Sequence, residues 1–249
     1  GIENVFKAKK DLADYLHRTG RPLVLNADDK WLQKLEKDYT YQLVTYGENS
    51  FHFHLIDSKV TREGTSFTFT YKDKKYIGSI KALGKGLAYN ALAAIALAEL
   101  LSIDIEESLK ALEEYTAFEG RFEIQEINDS LTIVNDAYNA NPTSMRMSIE
   151  TFDEIFDKDK YERVLILGDM KELGEVTGRE HRKIGELVKE KDFDKVLYIG
   201  DYYEDFGLGE QLINWHEAKE IIARIQKKDK EIAILLKASN SIGLYNITK

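Results

Sequence analysis

Four short polar stretches each follow directly on an apolar run: "NDAYNANP" at 135–142, "GDMKELGE" at 168–175, "GDYYED" at 200–205 and "KASNS" at 237–241. They carry carboxylates (Asp136, Asp169, Glu172, Asp201), an ammonium (Lys237) and hydroxyls (Ser239, Ser241). A ligand bearing both an amine and a carboxylate would find an opposite charge for each end in such a set. Asn141 followed by Pro142 reads as a helix N-cap and first helical residue, which leaves backbone N–H groups free for an anion. Turn chemistry alone would explain any single "GD" after a strand. Four such loops together favour a ligand-binding edge.

Other candidate chemistry is weaker. The sequence holds no G-x-x-x-x-G-K-[ST] and no G-x-G-x-x-G, and the two glycines of "LGKGLAYN" are wrongly spaced for either. His52 and His54 alternate with Phe51 and Phe53, so they share one face of a strand. A metal pair needs a third ligand, and none is near in sequence, so a solvent-facing side is the better reading. His181 opens a helix after "LGEVTGRE" and reads equally well as structural or as close to a substrate.

The elements that position these residues fall into two textures. A helix over 3–17, with Val5, Phe6, Leu12, Ala13 and Leu16 as its apolar stripe, precedes a buried strand at Leu23–Leu25. Trp31, Leu32 and Leu35 suggest a short helix, and "YQLVTYG" another strand. "SFHFHLIDS" and "TSFTFTYKDKKYIGSI" alternate with period two, predicting an antiparallel meander of about three strands. Helices at 88–101 and after Asp104 follow. Beyond "EGRFE" the pattern changes. Strands at 131–134, "RVLILGDM", "KVLYIGD" and "EIAILLK" are separated by helical segments. This alternation implies a parallel, doubly wound sheet, whose ligands bind outside the carboxyl ends of the strands. Met145, Ile149, Phe152 and Phe156 should line the buried face of the first of these helices.

The bulk numbers set limits. The chain has 249 residues, a net charge of −9 and no cysteine. The acidic balance argues against nucleic acid as a partner. Without cysteine there are no disulfides or thiolate sites, and a cytoplasmic setting fits. No apolar run approaches the roughly 18 residues of a membrane span.

Taken in order, "LVLNADD", "YNALAAIALA", "FEGRFE", "NDAYNANPTSM", "VLILGDMKELGE" with His181, and "LLKASNS" resemble the Mur ligases. Within that family the likeness is greatest to the branch that joins D-alanyl-D-alanine to UDP-N-acetylmuramoyl-tripeptide in peptidoglycan precursor synthesis. The resemblance runs over the whole chain. It implies an α/β protein with a truncated central ATPase-type domain over 1–120, containing the meander, followed by a Rossmann-like doubly wound C-terminal domain over 121–249. It implies that ATP phosphorylates a peptide carboxylate and that the amine of the dipeptide attacks the acyl phosphate. ATP and Mg2+ are the implied cofactors, and the tripeptide nucleotide and D-alanyl-D-alanine the implied partners.

By the same resemblance, Lys9 matches a lysine that is carbamylated in several relatives and helps to hold magnesium, a hard cation that prefers oxygen ligands. Asn90 and Arg121 match nucleotide-contacting positions. Asp136 matches the residue expected at the ribose hydroxyls, with Tyr138, Asn139 and Asn141 along the same edge. Asp169, Lys171, Glu172, Lys237 and Ser239 are expected to face the dipeptide, with Lys237 as a point charge for its carboxylate. Gly86 stands where the family usually has His, and Asn240 where many relatives have Arg.

The family's UDP-sugar-binding domain and phosphate-binding loop would precede Gly1. The chain is therefore expected to be the back part of such a ligase, inactive and weak for ATP by itself; its uncovered sheet edge implies either that the missing part was a separable unit or that the chain self-associates. Two rival readings are a non-catalytic scaffold that keeps the fold, and a related Mur or folylpolyglutamate-type ligase.

Overall fold

A computed structural model describes residues 2–36, 38–39, 42–225 and 229–249. The chain divides into two compact units, Gly1–Thr116 and Ala117–Lys249.

The first unit begins with α1 (Ile2–Arg18), followed by β1 (Leu23–Asn26), α2 (Gln33–Glu36) and β2 (Leu43–Gly47). Three longer strands come next: β3 (Phe53–Thr61), β4 (Gly64–Tyr71) and β5 (Lys74–Ile80). Helices α3 (Gly86–Leu100) and α4 (Ile105–Glu113) close the unit. The sheet runs β1-β2-β3-β4-β5, parallel from β1 to β3 and antiparallel from β3 to β5. The expected meander is therefore present and is joined by β2 to a parallel pair. Alternation along β3 and β4 buries Phe53, Leu55, Phe67 and Phe69, and α3 buries Ala88, Ala91, Leu92, Ile95 and Ala96. Asp104 caps α4 by accepting from Glu106 N, as its side chain should at that position.

The apolar stripe expected on α1 is only partly used. Ala13 is buried beside Leu25, Leu35 and Tyr39, with Phe6 packed against them. Val5 and Leu12 are 53% and 60% exposed. The contact of α1 with this unit follows one narrow line, narrower than the stripe itself. His54 faces solvent on β3, while His52 precedes the strand and accepts the Thr45 N–H at Nδ1 (3.2 Å). Among the described residues no three His, Asp or Glu side chains gather as a metal site would require.

The second unit comprises β6 (Glu123–Asn128), β7 (Leu131–Asn135), α5 (Pro142–Ile155), β8 (Tyr161–Gly168), α6 (Thr177–Lys191), β9 (Lys195–Ile199), α7 (Tyr203–Phe206), β10 (Glu210–Leu212), α8 (Trp215–Arg224) and β11 (Glu231–Lys237). Its sheet has the order β10-β9-β8-β11-β7-β6. All pairs are parallel except β6 with β7. The added antiparallel strand corrects the all-parallel expectation. "EIQEIN" alternates only weakly because β6 is an edge strand, half-buried to exposed along its length. The three residues of β10 are too few to show any period.

The central strands are buried on both faces, as continuous aliphatic runs should be. Ile133, Val164, Ile166, Ile232, Ile234 and Leu236 pack with Ala218 and Ile222 of α8 and with Leu244 and Ile247. The alternate side chains face the opposite layer. There α5 lies against α6 and β11, burying Met145, Ile149, Phe152 and Phe156 to 1% exposure or less. Asn141 accepts from Ser144 N while Ser144 Oγ accepts from Asn141 N, a reciprocal cap with Pro142 in the first turn. Among the described residues, no helix is long and apolar enough to cross a membrane.

Candidate functional site

The four polar loops lie at the carboxyl ends of β7, β8, β9 and β11. The chain leaves β8 toward α6 on one face. After β11 it turns through Asn240–Ile242 and Leu244–Thr248, with Leu244 and Ile247 in the core of the other face. The two neighbouring strands thus part at their ends, where a crevice forms in such sheets. Tyr138, Asn139, Asn141, Lys171, Glu172, Ser239 and Ser241 line a cleft of about 640 Å³ there. A second cleft of about 510 Å³ lies on the other side of Lys171, bordered by Asp201, Gln211, Ile213, Asn214 and Ser241.

Lys171 is the cation shared by both clefts. Its Nζ lies 2.7 Å from Asp169 Oδ2 and 3.4 Å from Asp201 Oδ2. Asp169 is fully buried and also accepts from the Tyr198 hydroxyl (2.8 Å), the Asp201 N–H (3.0 Å) and the Tyr202 N–H (3.2 Å). Burial pushes the Asp169 carboxyl up. The bonds from Lys171, the Asp201 amide, Tyr198 and the Tyr202 amide outweigh it and hold the group below the usual aspartate range. The bond to Asp169 in turn raises Lys171. Tyr198 is raised by burial and by the Asp169 charge, so it stays a hydroxyl donor. Gly200 is the spacer that permits this arrangement. Its φ is +143°, and a Cβ there would stand 2.2 Å from Asp169 Oδ1.

Lys237 has a different use from the one expected. Its side chain is 2% exposed and pairs with Asp136 Oδ2 at 2.9 Å. It also donates to the carbonyls of Asp136 (3.1 Å) and Asn139 (2.8 Å). The ammonium is enclosed beneath the "NDAYNANP" loop and ties it to β11. It is not presented to the cleft as a point charge for a substrate carboxylate. Asp169 is likewise enclosed and acts on the cleft through Lys171. The Asp136 carboxylate is 16% exposed and accepts from Phe122 N as well (3.1 Å). Below the loop, Asn135 accepts from Ala137 N and donates to Tyr245 O and Thr248 Oγ1, latching the loop to the last turn of the chain.

The remaining expected residues are more open. Tyr138 is half exposed and lies under the Arg121 guanidinium at 4.2 Å. These two border a third cleft of about 460 Å³ with Phe118, Tyr245 and Lys249. Asn139, Asn141 and Glu172 are exposed and Ser239 is buried, with Ser239 Oγ accepting from Lys171 N at 2.9 Å. Lys9 on α1 and Asn90 on α3 are exposed positions of the first unit. The sequence reading missed Tyr198, Gln211 and Asn214. A polar-tipped ring inside the aliphatic run "KVLYIG" was the signal for Tyr198. Asn214 stands where an N-cap should, directly before α8, whereas Gln211 had no signal, because β10 itself was invisible.

Residues 1–98 match the Mur ligase middle domain, and residues 120–240 match the Mur ligase, glutamate ligase domain. The chain belongs to the Mur ligase family. It is 30% identical over 256 residues to the UDP-N-acetylmuramoyl-tripeptide–D-alanyl-D-alanine ligase of Bacillus subtilis, covering 99% of this chain and 54% of that protein. The Escherichia coli ligase of the same name is 27% identical, with 100% and 55% covered. The chain thus spans about half the length of these curated relatives. Among solved structures, a MurF crystal structure from Acinetobacter baumannii superposes with a TM-score of 0.81 at 20% identity, covering 92% of this chain and 51% of that one. MurF from Thermotoga maritima in complex with ADP gives a TM-score of 0.75 at 21% identity, with 92% and 52% covered. At such identities these two likenesses establish the fold, a mixed α/β Mur ligase architecture.

Proposed function

We propose that this chain is the ATP- and amine-handling portion of a ligase that joins D-alanyl-D-alanine to UDP-N-acetylmuramoyl-tripeptide, working in the cytoplasm on peptidoglycan precursors. The observation that carries the reading is the Lys171 ammonium, held by a buried carboxylate at the junction of two polar clefts. Relatives that match almost the whole chain and bear this ligase's name support the choice of substrates.

In the proposed reaction the γ-phosphoryl group of ATP passes to the tripeptide carboxylate, releasing ADP. The free amine of the dipeptide then attacks the acyl carbon, loses a proton and expels phosphate as the amide forms. Within this chain, Lys171 attracts the dipeptide carboxylate and fixes the amine's approach, a contribution of positioning. Asn139, Asn141, Glu172 and Ser239 border the same cleft and orient its occupant. Asp136, Tyr138 and Arg121 serve the nucleoside, with the exposed part of the Asp136 carboxylate accepting from ribose hydroxyls; Asn90, within the first unit, is an exposed polar position assigned to nucleotide contact. Lys9, as a carbamate, would supply one oxygen to magnesium. The described residues contain no cluster of acidic or His ligands to complete that sphere.

The whole ligase, supplied with ATP and the tripeptide nucleotide, should form an amide with D-alanyl-D-alanine. Preferential use of glutamate or diaminopimelate would overturn the assignment. Because this sequence has no phosphate-binding loop, the isolated chain should show no ligation and no micromolar ATP affinity. A calorimetric titration that found such affinity would refute that part.

A further inference from the structure

Three successive peptide N–H groups after β8 are claimed by three different elements. Asp169 N donates to Ile199 O (3.2 Å), Met170 N to His181 Nε2 (2.9 Å), and Lys171 N to Ser239 Oγ (2.9 Å). The segment has no ladder of its own, so these acceptors, with the Ser239 N–H that donates to Asp169 O (3.0 Å), set its course. The middle one is a titratable side chain that the proposed reaction does not use.

His181 is 1% exposed. An Nε2 that accepts a peptide N–H carries no proton, so the proton of the neutral ring sits on Nδ1. Nδ1 lies 2.8 Å from Thr177 O, one helical turn back, as a donor should. One face of the ring stacks on Tyr202, with centroids 4.8 Å apart and planes 17° apart. Tyr202 N in turn donates to Asp169. The imidazole therefore joins the head of α6, the loop carrying Lys171 and the loop carrying Asp201. A rigid flat ring with an acceptor at one end, a donor at the other and an apolar face between them meets all three needs, and among the side chains only neutral histidine offers that set.

We propose that His181 is a positioning residue: as the neutral Nδ1–H tautomer it fixes the Met170 peptide and so aims the Lys171 ammonium between Asp169 and Asp201. Its relevance to amide formation rests on the function proposed above for Lys171. The positioning itself can be judged separately. A Lys171 amine released from Asp169 loses the partner that raises its pKa and becomes more nucleophilic at a given pH.

The test uses the chain as it stands. Nitrogen-15 imidazole spectra of the wild type at neutral pH should show an unprotonated Nε2 and a protonated Nδ1. The other tautomer, or a doubly protonated ring, overturns the proposal. Brief acylation followed by peptide mass spectrometry then gives the labelling rate of Lys171 relative to exposed Lys110. His181→Phe keeps a ring against Tyr202 but cannot accept from Met170, and should raise that ratio severalfold. His181→Gln restores an acceptor and a donor and should return it most of the way to the wild-type value. A ratio unchanged in His181→Phe, or raised equally in both variants, sinks the proposal. Should the Phe variant fail to fold, the wild-type tautomer and the Gln variant still decide. Saturating D-alanyl-D-alanine should slow Lys171 labelling in the wild type. Its failure to do so would count against the proposed function and leave the His181 comparison standing.

Discussion

Replacing Lys237 by Met separates two uses of one ammonium. A lysine facing the cleft would cost binding when lost and leave stability alone. The lysine seen here satisfies two carbonyls and one carboxylate from inside. Met preserves most of the stem, so little volume is lost. What goes is the charge opposite Asp136 and, among the described residues, the only side-chain donor to those two carbonyls. Breaking a buried pair by removing one partner costs about 3–5 kcal/mol. Asp136 keeps some solvent and its bond from Phe122 N, which places the expected loss at the lower end, about 3 kcal/mol. For a unit of this size that is a fall in Tm of roughly 10 °C. The chain has two tryptophans, Trp31 in the first unit and Trp215 packed on the core of the second. In a Trp31→Phe background, urea titration followed by Trp215 fluorescence reports the second unit. Adding Asp136→Asn should reveal a coupling of at least about 1 kcal/mol between the two positions. A loss below 1 kcal/mol with additive effects would mean that Lys237 is no strut.

Asn141→Ala removes the side chain that caps Ser144 N and should cost about 1 kcal/mol by chemical denaturation; no loss would show that the cap is redundant. In the whole ligase, Asp136→Ala should raise the KM for ATP severalfold, and an unchanged KM would remove Asp136 from the nucleotide site. The Asp169–Lys171 pair fixes a pH window. Asp169 is lowered in the fold, so its contribution is complete above the ordinary aspartate value of about 3.9 and is lost as pH falls through its lower native value. Lys171 is raised, so its contribution is complete below about 10.4 and is lost as pH rises through its higher native value. Asp169→Asn should abolish the acid limb of that dependence in equilibrium unfolding. An acid limb of the same size in the variant would assign it to other carboxylates.

Much of this architecture could be read from residue order. The aliphatic runs "VLILG" and "IAILL", short and followed by glycine or a polar loop, read as doubly covered strands, and "NP" as the opening of a helix. Membership of the side chains in the four loops was equally plain. Their direction was not. Lys237 and Asp169 are charged, and charge on a loop reads as solvent-facing unless a partner is known. Most of their partners lie far away in sequence, at Asp136 for Lys237 and at Tyr198, Asp201 and Tyr202 for Asp169; only Lys171 shares the loop of Asp169. Such pairing depends on the order β8-β11-β7, which brings 237 beside 136 and has no local signal. The edge strand β6 hid for the opposite reason: with little of it buried, nothing forces a period on its residues.

Gly200 gives the loop after β9 a fixed point. Any side chain there would displace the Asp169 carboxylate and with it the Lys171 ammonium. Across the cleft the Ile213 side chain carries no such duty, being 86% exposed, whereas Asp201 faces Lys171 at 3.4 Å, Tyr202 N donates to Asp169, Gln211 Nε2 donates to Gly200 O and Asn214 caps α8. On the function proposed above, the amine substrate can vary against residue 213 without moving the cation that receives its carboxylate. A library aimed at new amine substrates should hold 200–202 and 211 and place its diversity at 213.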